Sequence, residues 1–405
     1  MDIEIRPIRA EEFVEHALAL EAAFHGTPRL DEIEEFRGVA ELDRCFAAVD
    51  GSEIVGGAVT NSFRMAVPGG VLPTAAVTGV GVKPTHRRMG VNTALMRRQL
   101  DDAHDRGEPA AILFASEGGI YGRYGYGLGT FGCDMDLETD RSEYVRVYTP
   151  TGRVRLLDRE EALPLMHSVY DRVWRGRPGM IELNERWFRH ATYVPEHERA
   201  ERPCFYAVHA TGQAVDAYAI YRVKHEWPGG IPSNELELLD IQATTPQAYA
   251  DMWRYVLDAD LVRHVTSWNR PVDEPLLHLL REPRRLRLRV QDALWVRLVD
   301  VAEALQGRRY AARGRLTFEV DDRFCPWNQG RYELVGGPDG AECRPTDGEP
   351  DLVCTVNDLG ATYLGGSTFR QLYRAGHIEE EHPGALALAD AMFASDPAPW
   401  SSHLF

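Results

Sequence analysis

The segment Val77–Leu100 constrains the fold more than any other part of the chain. Its first residues are rich in valine and predict a strand, which ends before Pro84 because proline supplies no N–H to a sheet. The residues after Gly90 predict a helix whose apolar face is formed by Val91, Ala94, Leu95 and Met96. A helix N-terminus presents unpaired backbone N–H groups and partial positive charge, so an anion such as a pyrophosphate can bind there.

The turn between the predicted strand and helix, residues 86–93, has the composition of a phosphate-binding site, and we call it the phosphate turn. Gly90 lets the backbone approach a phosphate without a Cβ in the way. Arg87 and Arg88 add charged hydrogen-bond donors. The segment therefore predicts a pyrophosphate-binding turn at the end of a strand.

The phosphate turn lacks the glycine–lysine motif of nucleotide-hydrolysing enzymes and the G-x-G-x-x-G motif of dehydrogenases. It resembles instead the R-x-x-G-x-G/A signature of the GCN5-related N-acetyltransferases, which bind the pyrophosphate of acetyl-CoA. Arg87 and Gly90 match this signature, whereas Asn92 stands where glycine or alanine is usual. The alternative is an arginine-rich surface turn before an ordinary amphipathic helix. The order of strand, proline and helix favours the acetyl-CoA site.

The composition disfavours several classes of protein. A chain of 405 residues predicts two or three domains, and it contains no apolar run long enough to span a membrane. The six cysteines are scattered without a C-x-x-C pair, which argues against a disulfide framework and indicates a reducing cytoplasm. No H-E-x-x-H motif or His/Cys cluster is present in the sequence, so we expect no metal. The net charge of −17 disfavours nucleic-acid binding and attracts cationic substrates.

Hydrophobic periodicity predicts that an α/β domain is followed by a similar one. Residues 1–146 give a strand, two helices, three strands, a helix and a further strand. Residues 147–290 repeat this order. No arginine- and glycine-rich turn stands between the strand ending near Ala243 and the helix that begins at Pro246. We therefore expect the second domain to lack a cofactor site.

The third predicted domain, residues 291–405, has α+β character. Asn357 or Asp358 is expected to cap a helix that continues through Tyr363. The basic run Arg281–Arg289 suggests either a site for an anionic partner or ion pairs within the protein, and ion pairs are the commoner explanation. The chain ends on apolar residues, which predicts a buried tail because chain ends are ordered only when they are tied down.

Acetyl transfer from a thioester to an amine requires donors to the oxyanion, an acid for the departing thiolate and a base for the amine. Backbone N–H groups of residues 80–82 suit the oxyanion if the strand bulges there. A tyrosine suits the acid role, since the pKa of its hydroxyl is close to that of a thiol. The run after the buried strand offers Tyr121, Tyr124 and Tyr126, and the residues alone do not choose among them.

The motifs PTHRRMG and SEGGIYGRYGYG, together with DALWVRLVDVAEAL, TYLGG and FASD, resemble the Eis (enhanced intracellular survival) family over essentially the whole chain. The resemblance implies two tandem GCN5-related acetyltransferase-like domains, the second without a cofactor site, and a C-terminal domain similar to sterol carrier proteins. It also implies a homohexamer, Tyr121 as the general acid and the terminal carboxylate of Phe405 as the general base. The implied acetyl-CoA contacts are Val80, Gly81, Val82, Arg87, Arg88, Met89, Gly90, Val91, Asn92, Thr93, Ser116 and Glu117.

The same resemblance places Phe24, Phe36 and Leu404 in the cleft for the acceptor amine. Relatives that modify aminoglycosides have acidic residues at the positions of Gly26 and Leu404, so we expect weaker recognition of polycationic antibiotics here. The expected function is acetyl-CoA-dependent N-acetylation of a small primary amine, aminoglycoside-like or polyamine-like, through a ternary complex in the cytoplasm. The alternatives are a protein lysine N-acetyltransferase and a non-catalytic acyl-CoA- or lipid-binding protein.

Overall fold

The computed structural model describes residues 3–405, and within it the chain folds into two compact units. Unit 1 comprises the chain up to Thr130, Pro178–Glu182 and Ala293–Phe405, and unit 2 comprises Phe131–Arg177 and Leu183–Asp292. Unit 1 thus combines most of the first and third predicted domains. The boundaries after residues 146 and 290 stay predictions.

The first part of the chain follows the predicted order of strands and helices. Its elements are β1 (Ile3–Pro7), α1 (Phe13–Phe24), α2 (Leu30–Arg37), β2 (Cys45–Asp50), β3 (Glu53–Val67), β4 (Gly70–Val82), α3 (Val91–Asp105), β5 (Ala110–Phe114), α4 (Gly118–Tyr121), β6 (Gly127–Leu128) and β7 (Phe131–Glu138). The order β-α-α-β-β-β-α-β through Phe114 is therefore confirmed.

The middle part of the chain repeats this order with additional helices. Its elements are β8 (Arg153–Leu157), α5 (Arg159–Val173), α6 (Glu185–Ala191), α7 (Glu196–Glu201), β9 (Cys204–Thr211), β10 (Ala214–Lys224), β11 (Asn234–Ala243), α8 (Pro246–Leu257), β12 (Val262–Pro271), α9 (Leu276–Leu279) and β13 (Leu286–Asp292). The predicted bounds of β11 and α8 agree with the structure.

The last part of the chain is α+β, as predicted. Its elements are β14 (Leu294–Leu298), α10 (Val301–Gln306), β15 (Gly314–Asp321), β16 (Gly330–Gly337), β17 (Gly340–Pro345), β18 (Leu352–Thr355), α11 (Val356–Tyr363), α12 (Phe369–Arg374), β19 (Glu379–Glu380) and α13 (Ala385–Phe393). The N-cap of α11 is Thr355, which accepts a hydrogen bond from the Asp358 backbone, so the predicted cap at Asn357 or Asp358 was wrong.

Three sheets organise these elements. The order in unit 1 is β1-β2-β3-β4-β5-β14-β6, and a second sheet in this unit has the order β17-β16-β15-β18-β19. The sheet of unit 2 has the order β13-β7-β12-β11-β10-β9-β8. Two strands thus lie in a sheet formed mainly by a distant part of the chain: β14 lies antiparallel between β5 and β6, and β7 lies antiparallel between β12 and β13.

Helix α3 packs on β3, β4 and β5 through Leu95, Met96 and Leu100, which are fully buried. Ala94 is exposed, so the predicted apolar face included one wrong residue. The buried face contains Gln99, whose amide donates to the carbonyl oxygen of Val59 at 2.9 Å. A polar side chain at this position is stable because a strand carbonyl satisfies it.

The basic run Arg281–Arg289 forms ion pairs with β7, as expected. Strands β13 and β7 pair with Arg287 opposite Asp136 and Arg289 opposite Asp134. The Arg287 guanidinium lies 3.5 Å from the Asp136 carboxylate, and Arg289 also forms an ion pair with Asp134. These cross-strand pairs neutralise the run within unit 2.

His16 of α1 is buried, and its ring Nε2 lies 3.0 Å from the carbonyl oxygen of Phe46. Burial lowers the pKa of His16 from 6.5 to about 4, so the imidazole is neutral in the folded protein at pH 7. The unfolded chain binds a proton at higher pH than the folded chain. This group therefore contributes stability that is complete above pH 6.5 and is lost as the pH falls to about 4.

Between pH 6.5 and 4, titration of His16 accounts for about 3 kcal/mol of the fall in unfolding free energy, and we expect this part to be absent in His16→Gln. The glutamine amide keeps the hydrogen-bond donor but does not titrate. Urea unfolding at several pH values measures this change. The carboxyl group of Glu12, whose pKa falls to about 2 beside Arg6, titrates below this window. Equal pH slopes for both proteins would contradict the prediction.

No helix within residues 3–405 is long and apolar enough to cross a membrane. In the same range, no group of three or more His, Cys, Asp or Glu side chains is placed to hold a metal ion.

Candidate active site

The site lies where β4 and β5 separate. These parallel strands pair only from Thr74 to Ala76 on β4 and from Ala110 to Ile112 on β5. Beyond Ala76, no strand of the described chain pairs with the edge of β4 that faces β5. A cleft of about 630 Å³ is lined by the end of β4, the phosphate turn and α4. This gap leaves backbone groups of β4 available to a ligand.

Strand β4 contains the bulge that the oxyanion argument required. Gly57 of β3 pairs with Gly81, whereas Val59 pairs with Thr78, so three residue steps on β4 match two on β3. Gly79 lies inside this bulge with a φ of +57°, which favours glycine. The extra residue lies at Gly79–Val80, and Gly81 and Val82 pair again with Gly57 and Gly56. Residues 80–82 line the wall of the cleft.

Gly81 allows α1 to approach this bulge closely. A Cβ at Gly81 would lie 2.8 Å from the Cβ of Ala23, which itself lines the cleft. We expect Gly81→Ala to push α1 away from β4 and to cost about 1–3 kcal/mol of stability. Urea unfolding measures this cost.

The matched control for Gly81→Ala is Gly176→Ala, because a Cβ there meets no atom within 4 Å and the φ of Gly176 is not left-handed. This control is expected to leave the stability unchanged or slightly higher. A Gly81→Ala protein with wild-type stability would contradict the close-approach argument.

The phosphate turn begins α3 as predicted. Arg88 and Gly90 have φ values of +64° and +84°, and this left-handed backbone curls the chain before the helix starts. The N–H groups of the first helical turn, Val91, Asn92 and Thr93, lie at the cleft and have no partner from a preceding turn of helix. Arg87 donates to the carbonyl oxygen of Ala23 at 2.7 Å, so this arginine ties the turn to α1. The side chain of Arg88 is exposed.

Asn92, the mismatch in the signature, has a structural role. Its amide donates to the hydroxyl oxygen of Tyr124 at 3.0 Å, and the hydroxyl of Thr93 lies 3.4 Å from the same atom. Glycine or alanine at residue 92 would lack this bond. Asparagine in place of glycine or alanine at residue 92 therefore fixes Tyr124 against the phosphate turn.

The geometry separates the three candidate tyrosines. Tyr121, the last residue of α4, lines the cleft together with Ser116 and Glu117. Tyr124 also lines the cleft, but its hydroxyl is held by Asn92. Tyr126 is fully buried, and its hydroxyl has no hydrogen-bond partner among residues 3–405. Of the three tyrosines, Tyr121 is therefore the one that lines the cleft with a hydroxyl that Asn92 does not hold.

Tyr121 is protonated at neutral pH. Burial raises the pKa of its hydroxyl above the usual value, and a hydrogen bond with Ser116 opposes this shift in part. Tyr126 packs edge-on against it with ring centroids 6.2 Å apart. A neutral phenol in this position can donate a proton but does not accept one.

The C-terminal tail packs on the sheet of unit 1 through Phe405, whereas Leu404 is exposed, so the predicted burial of the tail is confirmed only in part. The ring of Phe405 lies 6.0 Å from that of Phe63 on β3 and 5.6 Å from that of Phe114 on β5. The backbone N–H of Trp400 donates to the carbonyl oxygen of Pro178 at 2.8 Å. The chain terminus thus lies against two strands that flank β4.

The residues assigned to the acceptor cleft lie in different surroundings. Phe24 is half-exposed and lines the cleft. Phe36 stacks on Phe13 with ring centroids 6.3 Å apart, in the core between the sheet and α1 and α2. Leu404 is exposed. Neither Phe36, Leu404 nor Phe405 lines the cleft that the phosphate turn borders.

Sequence reasoning missed several residues of the cleft wall. Among them are His25, which ends α1 in a left-handed conformation, and Arg123, which follows α4. Arg123 stands inside the motif already singled out, so its charge was the available signal. His25 lies between Phe24 and Gly26, two positions that the resemblance places at the acceptor cleft, and this neighbourhood was the available signal.

The corresponding turn of unit 2 differs in the way the sequence predicted. Thr245 caps α8 by accepting a hydrogen bond from the Ala248 backbone, and Pro246 occupies the first helical position. Proline has no N–H, and the cap uses another donor of the first turn. This helix start lacks the free donors that the phosphate turn offers.

Three family profiles match the chain. A profile described as "Acetyltransferase (GNAT) domain" matches residues 4–129, and a second one with the same description matches residues 179–298. The profile "Sterol carrier protein domain" matches residues 301–402. Together with the cleft, these matches define an N-acetyltransferase of the GNAT class with two GNAT domains and a C-terminal sterol-carrier-like domain.

Similar proteins narrow this class. A Streptomyces avermitilis protein named "Uncharacterized N-acetyltransferase" is 42% identical over 413 residues, with 100% of both chains covered. The N-acetyltransferase Eis of Mycobacterium bovis is 34% identical over 363 residues, which are 85% of this chain and 84% of that protein. The crystal structure of Eis1 from Mycobacterium abscessus superposes with a TM-score of 0.87 at 33% identity and covers 99% of this chain and 100% of that one. The chain belongs to the Eis family of GCN5-related N-acetyltransferases.

Proposed function

We propose that the protein transfers the acetyl group of acetyl-CoA to a small primary amine, aminoglycoside-like or polyamine-like, within a ternary complex. The observation that carries this proposal is the cleft itself. Between β4 and β5 it combines the phosphate turn, the bulged strand and the Tyr121 hydroxyl in one cavity of about 630 Å³. This volume fits the range of roughly 300–1,000 Å³ for small-molecule sites.

The donor side of the reaction uses backbone groups and Tyr121. The N–H groups of residues 91–93 would hold the pyrophosphate of acetyl-CoA, since they lie at the N-terminus of α3. Backbone N–H groups of residues 80–82, at and just after the bulge, would donate to the oxyanion that forms when the amine attacks the thioester carbon. Tyr121 would give its proton to the sulfur as the carbon–sulfur bond breaks.

The acceptor side requires a base, and we assign this role to the terminal carboxylate of Phe405. The amine must lose one proton before or during attack, and the carboxylate accepts it directly or through a water. The rings of Phe63 and Phe114 contact the ring of Phe405 and so hold the terminal carboxylate in place. An unpacked chain end would not fix a base in this way. The net charge of −17 favours a cationic acceptor.

The lipid-binding alternative is disfavoured by the C-terminal domain. Arg308 is fully buried there, and its guanidinium lies 4.7 Å from the ring centroids of both Tyr310 and Phe393. A cavity of about 180 Å³ beside Phe369 and Phe393 is smaller than the roughly 300–1,000 Å³ of typical ligand sites. Aromatic rings and a buried cation thus fill space that a lipid would need.

Assembly and compartment belong to the same proposal. The family resemblance supports a homohexamer, which sedimentation velocity would measure. All six cysteines are free thiols in the described structure, which supports a reducing cytoplasm.

The proposal is tested by measuring thiol release from acetyl-CoA with a panel of aminoglycosides, polyamines and lysine-containing peptides. Stimulation by one or more small amines is the expected result, and mass spectrometry should find one added acetyl group on the amine. Stimulation by the peptides alone would favour the protein lysine N-acetyltransferase. If no amine stimulates release, the protein is not the enzyme proposed here.

A further inference from the structure

One side chain from the C-terminal domain bonds both ends of the segment that follows Tyr121. The Nδ2 of Asn357 donates to the carbonyl oxygen of Gly122 at 2.8 Å and to that of Tyr126 at 2.9 Å. One amide therefore joins the start and the end of the loop from residue 122 to residue 126, which we call the acid loop. Gly122 is the residue directly after Tyr121.

Helix α11, which carries Asn357, lies in direct contact with the backbone after the acid loop. A Cβ at Gly127 would lie 1.9 Å from the carbonyl oxygen of Asn357, and a Cβ at Gly360 would lie 2.3 Å from that of Val296. Residues 127 and 360 therefore have room only for glycine. The helix therefore cannot shift toward the loop, and a shift away would break both hydrogen bonds of Asn357.

Two further contacts from the C-terminal domain hold the middle of the acid loop. The ring of Phe324 packs edge-on against Tyr124 with centroids 5.0 Å apart. Gly125, with a φ of +86°, lies over the guanidinium of Arg297, which is paired with Asp322 at 2.5 Å. All of these residues belong to unit 1.

The position of Tyr121 depends on these contacts because its own helix is too short to fix it. Helix α4 has four residues and begins with Gly118 and Gly119. An isolated turn of helix is unstable, and two glycines add backbone freedom. From this geometry we infer that Asn357 is a positioning residue, which holds the Tyr121 hydroxyl at the thiolate through the acid loop. The inference rests on the acid role of Tyr121 proposed above.

The test uses Asn357→Leu, which keeps a side chain of similar size but removes the two donated hydrogen bonds. A catalytic group displaced by roughly 1 Å can cost about 100-fold in rate. We therefore expect kcat with acetyl-CoA to fall about 10- to 100-fold, while the KM for acetyl-CoA changes much less, because neither of the two hydrogen bonds that are lost goes to the phosphate turn.

A second donor separates acid positioning from a general structural defect. In the selenoester analogue of acetyl-CoA the leaving selenolate is far less basic than a thiolate, so its departure needs no proton from Tyr121. We expect Asn357→Leu to lose less than about threefold in kcat with the selenoester. An equal loss with both donors would overturn the inference.

The matched control is Thr355→Ala, which removes the N-cap of the same helix without touching the acid loop. It is expected to lower the stability of the protein, because the cap of α11 is lost, and to leave kcat near wild type with both donors. A loss of kcat equal to that of Asn357→Leu would mean that only the stability of α11 matters, which also overturns the inference.

Tyr121→Phe is measured in parallel, so that a failure of the acid role of Tyr121 can be told from a failure of the positioning role of Asn357. If Tyr121→Phe loses activity with acetyl-CoA and Asn357→Leu does not, the acid role stands and the positioning role of Asn357 is wrong. If Tyr121→Phe keeps wild-type activity, the acid role is wrong and the inference about Asn357 fails with it.

Discussion

A chain extended by two glycines beyond Phe405 is expected to lose about 100- to 10,000-fold in kcat, the range that a general base contributes. The extension converts the α-carboxylate of Phe405 into a peptide amide, which has no proton-accepting oxygen of comparable basicity. The Phe405 ring keeps its contacts with Phe63 and Phe114, so the tail stays in place. Thiol release with the best amine of the panel, followed from low to high amine concentration, measures the change.

The control for the extension is Phe405→Leu, which keeps a terminal carboxylate and loses only the two ring contacts. Its kcat is expected to fall far less than that of the extended chain, because the carboxylate is kept and only two ring contacts of roughly 0.5–1.5 kcal/mol each are lost. Wild-type activity in the extended chain would show that the terminal carboxylate is not the base. An equal loss in both proteins would assign the effect to packing of the tail.

Much of the donor site was predictable because it depends on local sequence. A strand ended by Pro84, a glycine at residue 90 and an apolar helix after it are neighbours in the chain, so their structural order follows from their spacing. The capping pair at Thr245 and Pro246 made the bounds of α8 equally readable. Each of these features needs only residues within one turn or one strand.

The sheet positions of β14 and β7 and the contacts of Asn357 were not predictable in this way. Strand β14 carries an apolar pattern that would suit a sheet in either half of the chain, and strand pairing over such distances is set by the packed tertiary structure. Asn357 stands beside the capping box formed by Thr355 and Asp358, so its sequence context suggested a cap. Its contacts with residues more than two hundred positions away appear only in the folded chain.

Tyr121→Phe is expected to lower kcat about 100- to 10,000-fold with acetyl-CoA and to leave its KM within about twofold, because the ring stays and only the proton donor is lost. The ring is nearly buried against Tyr126, so phenylalanine fits the same space. The selenoester analogue should restore most of the lost rate, since its leaving group needs no acid. Initial rates with both donors measure the two effects.

Tyr126 supplies the matched control for Tyr121→Phe. Tyr126→Phe removes a buried hydroxyl that has no hydrogen-bond partner in the described chain, so it should leave kcat unchanged and stability unchanged or higher.

Because burial raises the pKa of Tyr121, its acid form is complete at neutral pH and is lost only as the pH rises through that raised value. The wild-type rate should therefore show no alkaline decline from this group below about pH 10. A decline in that range that persists in Tyr121→Phe would belong to another residue, and equal losses in Tyr121→Phe and Tyr126→Phe would contradict the assignment of the acid.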